Sequence, residues 1–268
     1  MTQAAATDLP PLGGQDGQYL GGVAGGGSVK TPGAFGAIYG LVLRHQITRG
    51  RLALFAIIAG LSVLLGWVIG RVDDDRAQVG VDIVSLFGFG LVVPVVSLVL
   101  GSAALGNWVD DETLVYVWLR PVKRWLIAVA ATLAAATVAV PVTVGSMTVL
   151  ALLASGGDGG VITGTIIGTA LGGLAYTALF VALGLLIRRA LLWGLVYVFI
   201  WEFFVARSGT GAARLSINSY AASILAQWSD IEIRLADRGL TTSYIVLAAV
   251  TLVAVVFTTW RLSRANVA

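Results

Sequence analysis

The chain has 268 residues, of which 57% are hydrophobic and only 12% are charged, and its mean hydropathy is +0.90. This composition excludes an ordinary soluble globular domain and predicts an all-α polytopic membrane protein. The formal net charge is +3, but the basic residues flank apolar segments and form no single patch, so they indicate membrane topology and no nucleic-acid partner is expected.

The residue types exclude several kinds of active site. The chain has no cysteine and a single histidine, His45, so thiolate metal sites, iron–sulfur clusters, bis-histidine haem and histidine-dependent hydrolases all lack a required residue. Only two methionines are present, which argues against soft-metal transport by this chain. No metal and no cofactor are therefore expected to bind within it.

The chain begins with a glycine-rich stretch, residues 1–33, which lacks the basic and apolar regions of a signal peptide. It is predicted to be a disordered cytoplasmic tail. Its Gly25–Thr31 part resembles a phosphate-binding loop only superficially, because Val29 stands where that loop needs a glycine directly before the lysine, here Lys30. The chain is therefore not expected to be an enzyme by itself, and ATP hydrolysis would need another subunit.

The next segment has apolar residues at helical spacing, followed by basic ones, which is typical of a helix that lies in the membrane interface. We therefore expect an N-terminal elbow helix ahead of the first membrane span, and residues 34–268 are predicted to form one membrane domain. The apolar face of the elbow helix consists of Phe35, Ile38, Tyr39, Val42 and Leu43.

Six segments approach the roughly 20 apolar residues needed to cross a bilayer. A further short helix is predicted outside the membrane between the fifth and sixth spans, where it would cap the spans or dip between them. Its apolar face would consist of Ile224, Trp228, Ile231 and Leu235. The predicted spans are residues 52–70, 83–105, 125–154, 161–187, 190–206 and 244–260.

The basic residues indicate the orientation of these spans. Because the number of spans is even, both termini lie on one side, and assigning that side to the cytoplasm places most of the lysines and arginines there. Most acidic residues then fall on the opposite face. We expect a multi-pass protein of the cytoplasmic membrane, in contact with lipid, with both termini in the cytoplasm.

Two features inside the spans affect helix packing. The fourth span carries glycines at a strict four-residue interval, which would let another helix approach closely. The second and third spans contain Pro94 and Pro141, which should kink them, and the kinks would serve either packing or gating. The spaced glycines are Gly160, Gly164, Gly168 and Gly172.

Glu202 is the one acidic residue predicted inside a span, about one turn from the outer end of the fifth. Acidic residues within membranes are costly and are frequently functional. Two interpretations stay open: a structural hydrogen bond or contact with the interface, or a role in a substrate path, proton transfer or gating.

A polar segment, residues 106–124, separates the second and third spans and is predicted to lie in the cytoplasm. Its acidic groups could simply complement the N-terminal dipole of a surface helix, and its basic groups could simply follow the positive-inside rule. However, its apolar residues, Trp118 among them, recur at helical spacing between charges of both signs, as expected for a helix that docks on a soluble partner.

The residues of this segment resemble a known family. An acidic cluster, then Thr-Leu, then Arg-Pro-Val-x-Arg between spans two and three resembles the permease subunit of type-2 ATP-binding-cassette (ABC) exporters. The segment Tyr197–Glu202, with Leu215–Ile217 and Tyr220, is also similar to members associated with multi-copper-enzyme maturation. The residues that correspond to the coupling motif are Asp110, Asp111, Glu112, Thr113, Leu114, Arg120, Pro121 and Arg124.

The resemblance implies that residues 106–124 form a coupling helix seated on a soluble ABC ATPase subunit. The helical spacing of the apolar residues, and not the resemblance, adds Trp118 to its docking face. It implies two ATPase copies, which would bind ATP and Mg²⁺, and a second permease subunit that is either identical or paralogous. Export is the direction that the family implies. The substrate is left open.

Two other functions also remain open. An ion-coupled secondary transporter could use Glu202, although no inverted repeat is evident in the sequence. A non-transporting scaffold could seat a larger membrane complex.

Overall fold

The structure, a computed structural model, describes residues 31–71, 75–110, 123–206, 208–234 and 236–264. Every regular element in these ranges is helical, as the composition predicts. The elements in chain order are α1 Thr31–Gln46, α2 Arg49–Ile69, α3 Arg76–Ile83, a π-helical segment Val84–Val92, α4 Val93–Asp110, α5 Arg124–Ala154, α6 Gly159–Leu186, α7 Ala190–Val196, a second π-helical segment Tyr197–Val205, α8 Thr210–Ala213, α9 Ile217–Ser229 and α10 Leu240–Arg264.

Five helices in the described part are long and apolar enough to cross a membrane. They correspond to predicted spans one to four and six, with ends shifted by up to seven residues. The predicted fifth span appears as the apolar helix Ala190–Val205, which is shorter than the roughly 20 residues that a crossing needs. The five long helices are Arg49–Ile69, Arg76–Gly106, Arg124–Ala154, Gly159–Leu186 and Leu240–Arg264.

Helix α6 lies at the centre of the bundle and packs against α4, α5, α9 and α10. Its small residues allow these neighbours to approach, while Tyr176 and Phe180 fill the space between them and are fully buried. By contrast, only 17% of the most apolar stretch of α2 is buried, and the same holds for α10, whereas the corresponding fraction for α6 is 61%. Helices α2 and α10 therefore form the periphery of the described fold.

The spaced glycines of α6 lie against α9. A Cβ atom on Gly160 would approach the Trp228 carbonyl oxygen to 2.5 Å, and one on Gly164 would approach the Leu225 Cα to 2.9 Å. Farther along, Gly168 faces Ala221. Because the partner numbers fall as the glycine numbers rise, α6 and α9 run antiparallel with their backbones in close contact.

The helix that follows the fifth predicted span is thus part of the bundle core. Every residue of α9 from Ile217 to Ala226 is buried except Ser219, which is partly exposed. The helix ends at Ser229 because Asp230 adopts a left-handed conformation with φ 55°. Ile231 therefore lies outside the helix, and the prediction that it shares a helical face with Ile224 and Trp228 is wrong; Leu235 lies outside the described residues.

Helix α1 packs on the bundle through the face predicted for the elbow. Val42 is buried in a cluster with Leu105, Ile127 and Leu262, and Ile38, Tyr39 and Leu43 pack against it. The helix begins at Thr31, three residues before the predicted start of the folded domain at residue 34. The glycine-rich stretch 1–30 lies outside the described residues.

Charge is distributed unequally between the two ends of the bundle. The cluster of Val42, Leu105, Ile127 and Leu262 marks one end, and the helix ends around it carry basic residues: Arg44, Arg49, Arg51, Lys123, Arg124, Arg188, Arg189, Arg261 and Arg264. At the other end, Gly80 lies beside Ser155 and Trp228 donates to Tyr244. The described acidic side chains there are Asp75, Asp82, Asp158, Asp230, Glu232 and Asp237, and they are accompanied by five arginines, Arg71, Arg76, Arg214, Arg234 and Arg238, so that acidic residues outnumber basic ones only at this end. We call these the basic end and the acidic end.

Candidate functional site

A break in the helical backbone lies inside the bundle. The helix that starts at α7 ends at Val205 and α9 begins at Ile217. Among the described residues between them, only the four-residue α8 is helical. Ala206, Ala213 and Ser216 within the break are nonetheless buried. In a membrane, backbone outside helices is tolerated only where protein encloses it or where it lines a water-filled cavity. The break therefore needs internal polar partners.

Glu202 supplies such partners. Its side chain is fully buried. Its Oε1 accepts hydrogen bonds from the Tyr197 hydroxyl at 3.0 Å and from the Ile217 backbone N–H at 3.3 Å, and its Oε2 accepts one from the Ser216 hydroxyl. Glu202 thus connects the two sides of the break.

The π-helical segment explains why Tyr197 and Glu202 meet. In an α-helix, residues three and four apart share a face, whereas residues five apart do not. In a π-helix the repeat is one residue longer, as shown by the Ala206 N–H, which donates to the Trp201 carbonyl at 2.7 Å. The wider turn therefore brings the Tyr197 hydroxyl above the Glu202 carboxylate.

The carboxylate also complements the start of α9. Ser216 is the N-cap of this helix, and its hydroxyl accepts from the Ser219 N–H at 3.3 Å while donating to Glu202. A negative charge near the first turn of a 13-residue helix is stabilised by the partial positive charge of its free N–H groups. Glu202 therefore holds the second half of the broken segment in place.

A polar cavity of about 280 Å³ opens beside the contact between Glu202 and the start of α9, which we call the Glu202 joint. It extends from the buried Glu202 to Asp82 and Arg234, both exposed at the acidic end. One wall is the helix that begins at Arg76, and the other is α9 with the residues after it. The remaining polar lining consists of Ser85, Ser216, Asn218 and Ser219. Such a lining suits water or a hydrophilic group inside an otherwise apolar bundle.

The two prolines lie away from this cavity. Pro94 is the second residue of α4 and follows the π-helical segment, where the Val93 N–H donates to the Gly88 carbonyl. Pro141 lies inside α5, which continues on both sides of it, and its ring is exposed. The structure therefore does not bring Pro94 and Pro141 to the Glu202 cavity.

Sequence reasoning missed most of the partners of Glu202. Tyr197 and Ser216 were not predicted to belong to a polar site, and neither was Asn218 of the cavity lining, because single polar groups among apolar neighbours scarcely change the hydropathy. One signal was present: Ser216 with Ser219 three residues later is a typical start of a helix. It would have located the break, although not its depth.

The predicted docking residues lie largely outside the described part of the chain. Asp110 is the last residue of α4 and Arg124 is the first of α5. The residues from Asp111 to Pro121, with Trp118 among them, lie between these helices, outside the described ranges. Their role as a docking helix stays a prediction.

No protein-family model matches the chain, and no curated protein is significantly similar to it. Within the described ranges, no group of three or more histidine, cysteine or acidic side chains is arranged to hold a metal ion.

Proposed function

We propose that this chain is the membrane-spanning permease subunit of a type-2 ABC exporter. It moves a substrate across the cytoplasmic membrane, and a separate ATPase subunit docked on residues 106–124 supplies the energy. The observation that carries the transport part is the broken helix, with its buried Glu202 and polar cavity inside a bundle of apolar helices. Broken helices with polar lining are typical of transporter substrate paths.

The position of the cavity supports coupling to the 106–124 segment. Asp82, Ser85 and Leu86 line the cavity and belong to the continuous helical run from Arg76 to Asp110. The opposite end of that run enters the 106–124 segment. A displacement of this segment would therefore pass along one helix to the wall of the cavity, as rigid-body switching requires.

The ATPase part of the proposal depends on the sequence of the segment. The chain has no complete phosphate-binding loop, so ATP and Mg²⁺ would bind to the partner. Residues 106–124 connect two helices at the basic end of the bundle, and the positive-inside rule assigns this end to the cytoplasm. The proposed assembly contains two ATPase copies and a second permease subunit, identical or paralogous, with both termini of this chain in the cytoplasm.

Reversing the charges of the docking segment should separate the two subunits. The double variant Asp111→Arg, Arg120→Glu places like charges against the proposed partner surface, so we expect recovery of the co-purified ATPase to fall at least tenfold. Affinity purification of the tagged chain, followed by mass spectrometry for a protein with a phosphate-binding loop, measures this.

The matched control reverses the same number of charges at the acidic end. Asp237 and Arg214 are both exposed there, and the double variant Asp237→Arg, Arg214→Glu should leave the recovery unchanged. If the docking variant retains its ATPase as well as this control does, the docking role is wrong.

The buried carboxylate also favours a second candidate, ion-coupled transport through Glu202. Transport that survives ATP depletion and collapses with the proton gradient would support it over the ABC exporter. A non-transporting scaffold, the third candidate, would show no ATP hydrolysis stimulated by a substrate.

A further inference from the structure

A second cavity, of about 220 Å³, lies at the basic end of the bundle. It is bounded by the start of α2, the last turns of α4 and the turn between α6 and α7. Two arginines, Arg51 and Arg189, and the Ser102 side chain form its polar lining. No described carboxylate lines it, so its electrostatic character is positive. A positive cavity between membrane helices selects an anionic ligand.

Arg51 is held in position by its neighbours. Its Nη1 donates to the His45 carbonyl at 3.0 Å and to the Gln46 Oε1 at 2.7 Å. The buried Gln46 is itself fixed, because its Nε2 donates to the Leu100 carbonyl at 2.9 Å. No described acceptor takes the Nε and Nη2 hydrogens of Arg51, which leaves a fork of donors suited to a phosphate or carboxylate.

Arg189 approaches the cavity from the turn between α6 and α7. Its backbone is left-handed, with φ 60°, a conformation that is unfavourable for residues other than glycine and asparagine. No described acidic side chain pairs with it. The strained turn therefore places a second arginine in the lining of the cavity, in addition to the fixed Arg51.

The surroundings of the cavity are apolar and face outward. Val99, Ala103 and Leu191 line its walls. Leu52, one residue after Arg51, is 52% exposed, and Leu192 is 56% exposed. A free phosphate ion would gain nothing from these side chains, whereas a lipid would place its head group between the arginines and its acyl chains along α2 and α7.

From this combination we infer that the cavity binds the phosphate of an anionic phospholipid. The head group is held by Arg51 and Arg189, and the acyl chains lie on the exposed apolar faces next to it. This site goes beyond the proposed transport function and does not depend on it, because its ligand comes from the membrane and no ATPase is involved.

The test measures lipid binding to the full-length chain purified in a neutral detergent. Short-chain phosphatidylglycerol is titrated against the wild type while the binding isotherm is recorded by microscale thermophoresis; short-chain phosphatidylcholine and inorganic phosphate are the other two arms. The variants are Arg189→Asn, which keeps a residue that tolerates the left-handed turn, and Arg51→Gln. The matched control is Arg188→Gln, which removes an equal charge from the adjacent exposed position that does not line the cavity.

We expect each cavity variant to weaken phosphatidylglycerol binding about fivefold, since a basic residue near an anionic lipid contributes about that factor. Arg188→Gln should bind like the wild type, and phosphatidylcholine and inorganic phosphate should bind at least tenfold more weakly than phosphatidylglycerol. Equal losses in Arg188→Gln and Arg189→Asn, equal affinity for phosphatidylcholine, or tight binding of inorganic phosphate would each overturn the proposal. Because no ATP is present, failure here leaves the exporter proposal untouched.

Discussion

Replacing Glu202 by alanine is expected to lower the free energy of unfolding by about 3 kcal/mol and to abolish transport. The change leaves three donors without their acceptor: the hydroxyl of the partly buried Tyr197, and the hydroxyl of Ser216 and the backbone N–H of Ile217, both of which are buried. It also removes the negative charge at the start of α9. Thermal or denaturant unfolding in detergent micelles measures the first effect, and uptake by inside-out vesicles the second.

The controls for Glu202 separate the loss of hydrogen bonds from the loss of charge. Glu202→Gln keeps one acceptor oxygen and places an amide donor near the hydroxyls, so we expect about half of the loss. Glu232 is exposed, and Glu232→Ala should change stability by less than about 0.5 kcal/mol. Equal unfolding of Glu202→Ala and Glu232→Ala would show that the buried joint contributes nothing to stability.

Adding a single methyl group to Gly164 is expected to destabilise the bundle by about 2 kcal/mol. A Cβ atom there would lie 2.9 Å from the Leu225 Cα and 3.0 Å from the Trp228 Cβ. The first of these is a backbone atom, which cannot rotate away as a flexible side chain can. Helices α6 and α9 would therefore have to separate, and unfolding of Gly164→Ala in micelles measures the cost.

Two other glycines serve as internal standards for Gly164. At Gly172 the nearest atom to a Cβ is the Ala221 Cβ at 3.3 Å, so Gly172→Ala should cost less. Gly145 lies inside α5 with no atom within 4 Å of such a Cβ, so Gly145→Ala should stabilise by up to about 1 kcal/mol. If all three variants shift stability alike, close contact between α6 and α9 is not what the glycines provide.

The long apolar helices could be predicted from the sequence because a run of about 20 hydrophobic residues has few other stable conformations in a membrane. The bounds of α5 and α6 differ from the predicted spans by at most two residues at either end. The fifth span was harder to predict because its run of apolar residues ends at Val205. Helix α9 packs into the core, yet its sequence mixes polar and apolar residues and resembles that of a surface helix. Hydropathy measures composition and does not detect burial against glycine.

Partners in space were the part that the sequence could not provide. The glycine interval predicts a smooth helix face, but it does not say which helix covers it, and α9 was expected outside the membrane. Likewise, the sequence shows that Glu202 is unusual, but it does not show its contact with Ser216. That contact depends on the chain after Val205 returning to the depth of Glu202 within the bundle. The π-helical turn places Tyr197 on the same side of the helix as Glu202. Neither hydropathy nor the spacing of apolar residues indicates such a turn.

Because little of α2 and α10 is buried, their exposed faces can exchange contact with lipid for contact with another protein. Lipid tails are as apolar as the leucines and valines on these helices, so replacing lipid by another protein surface expels no water and gains no hydrophobic free energy. Any association there must be stabilised by the fit of surfaces and by a few polar contacts, and it remains reversible at low cost. The centre around α6, in contrast, is held by close backbone contact. The molecule therefore combines a fixed centre with a perimeter whose contacts can be exchanged.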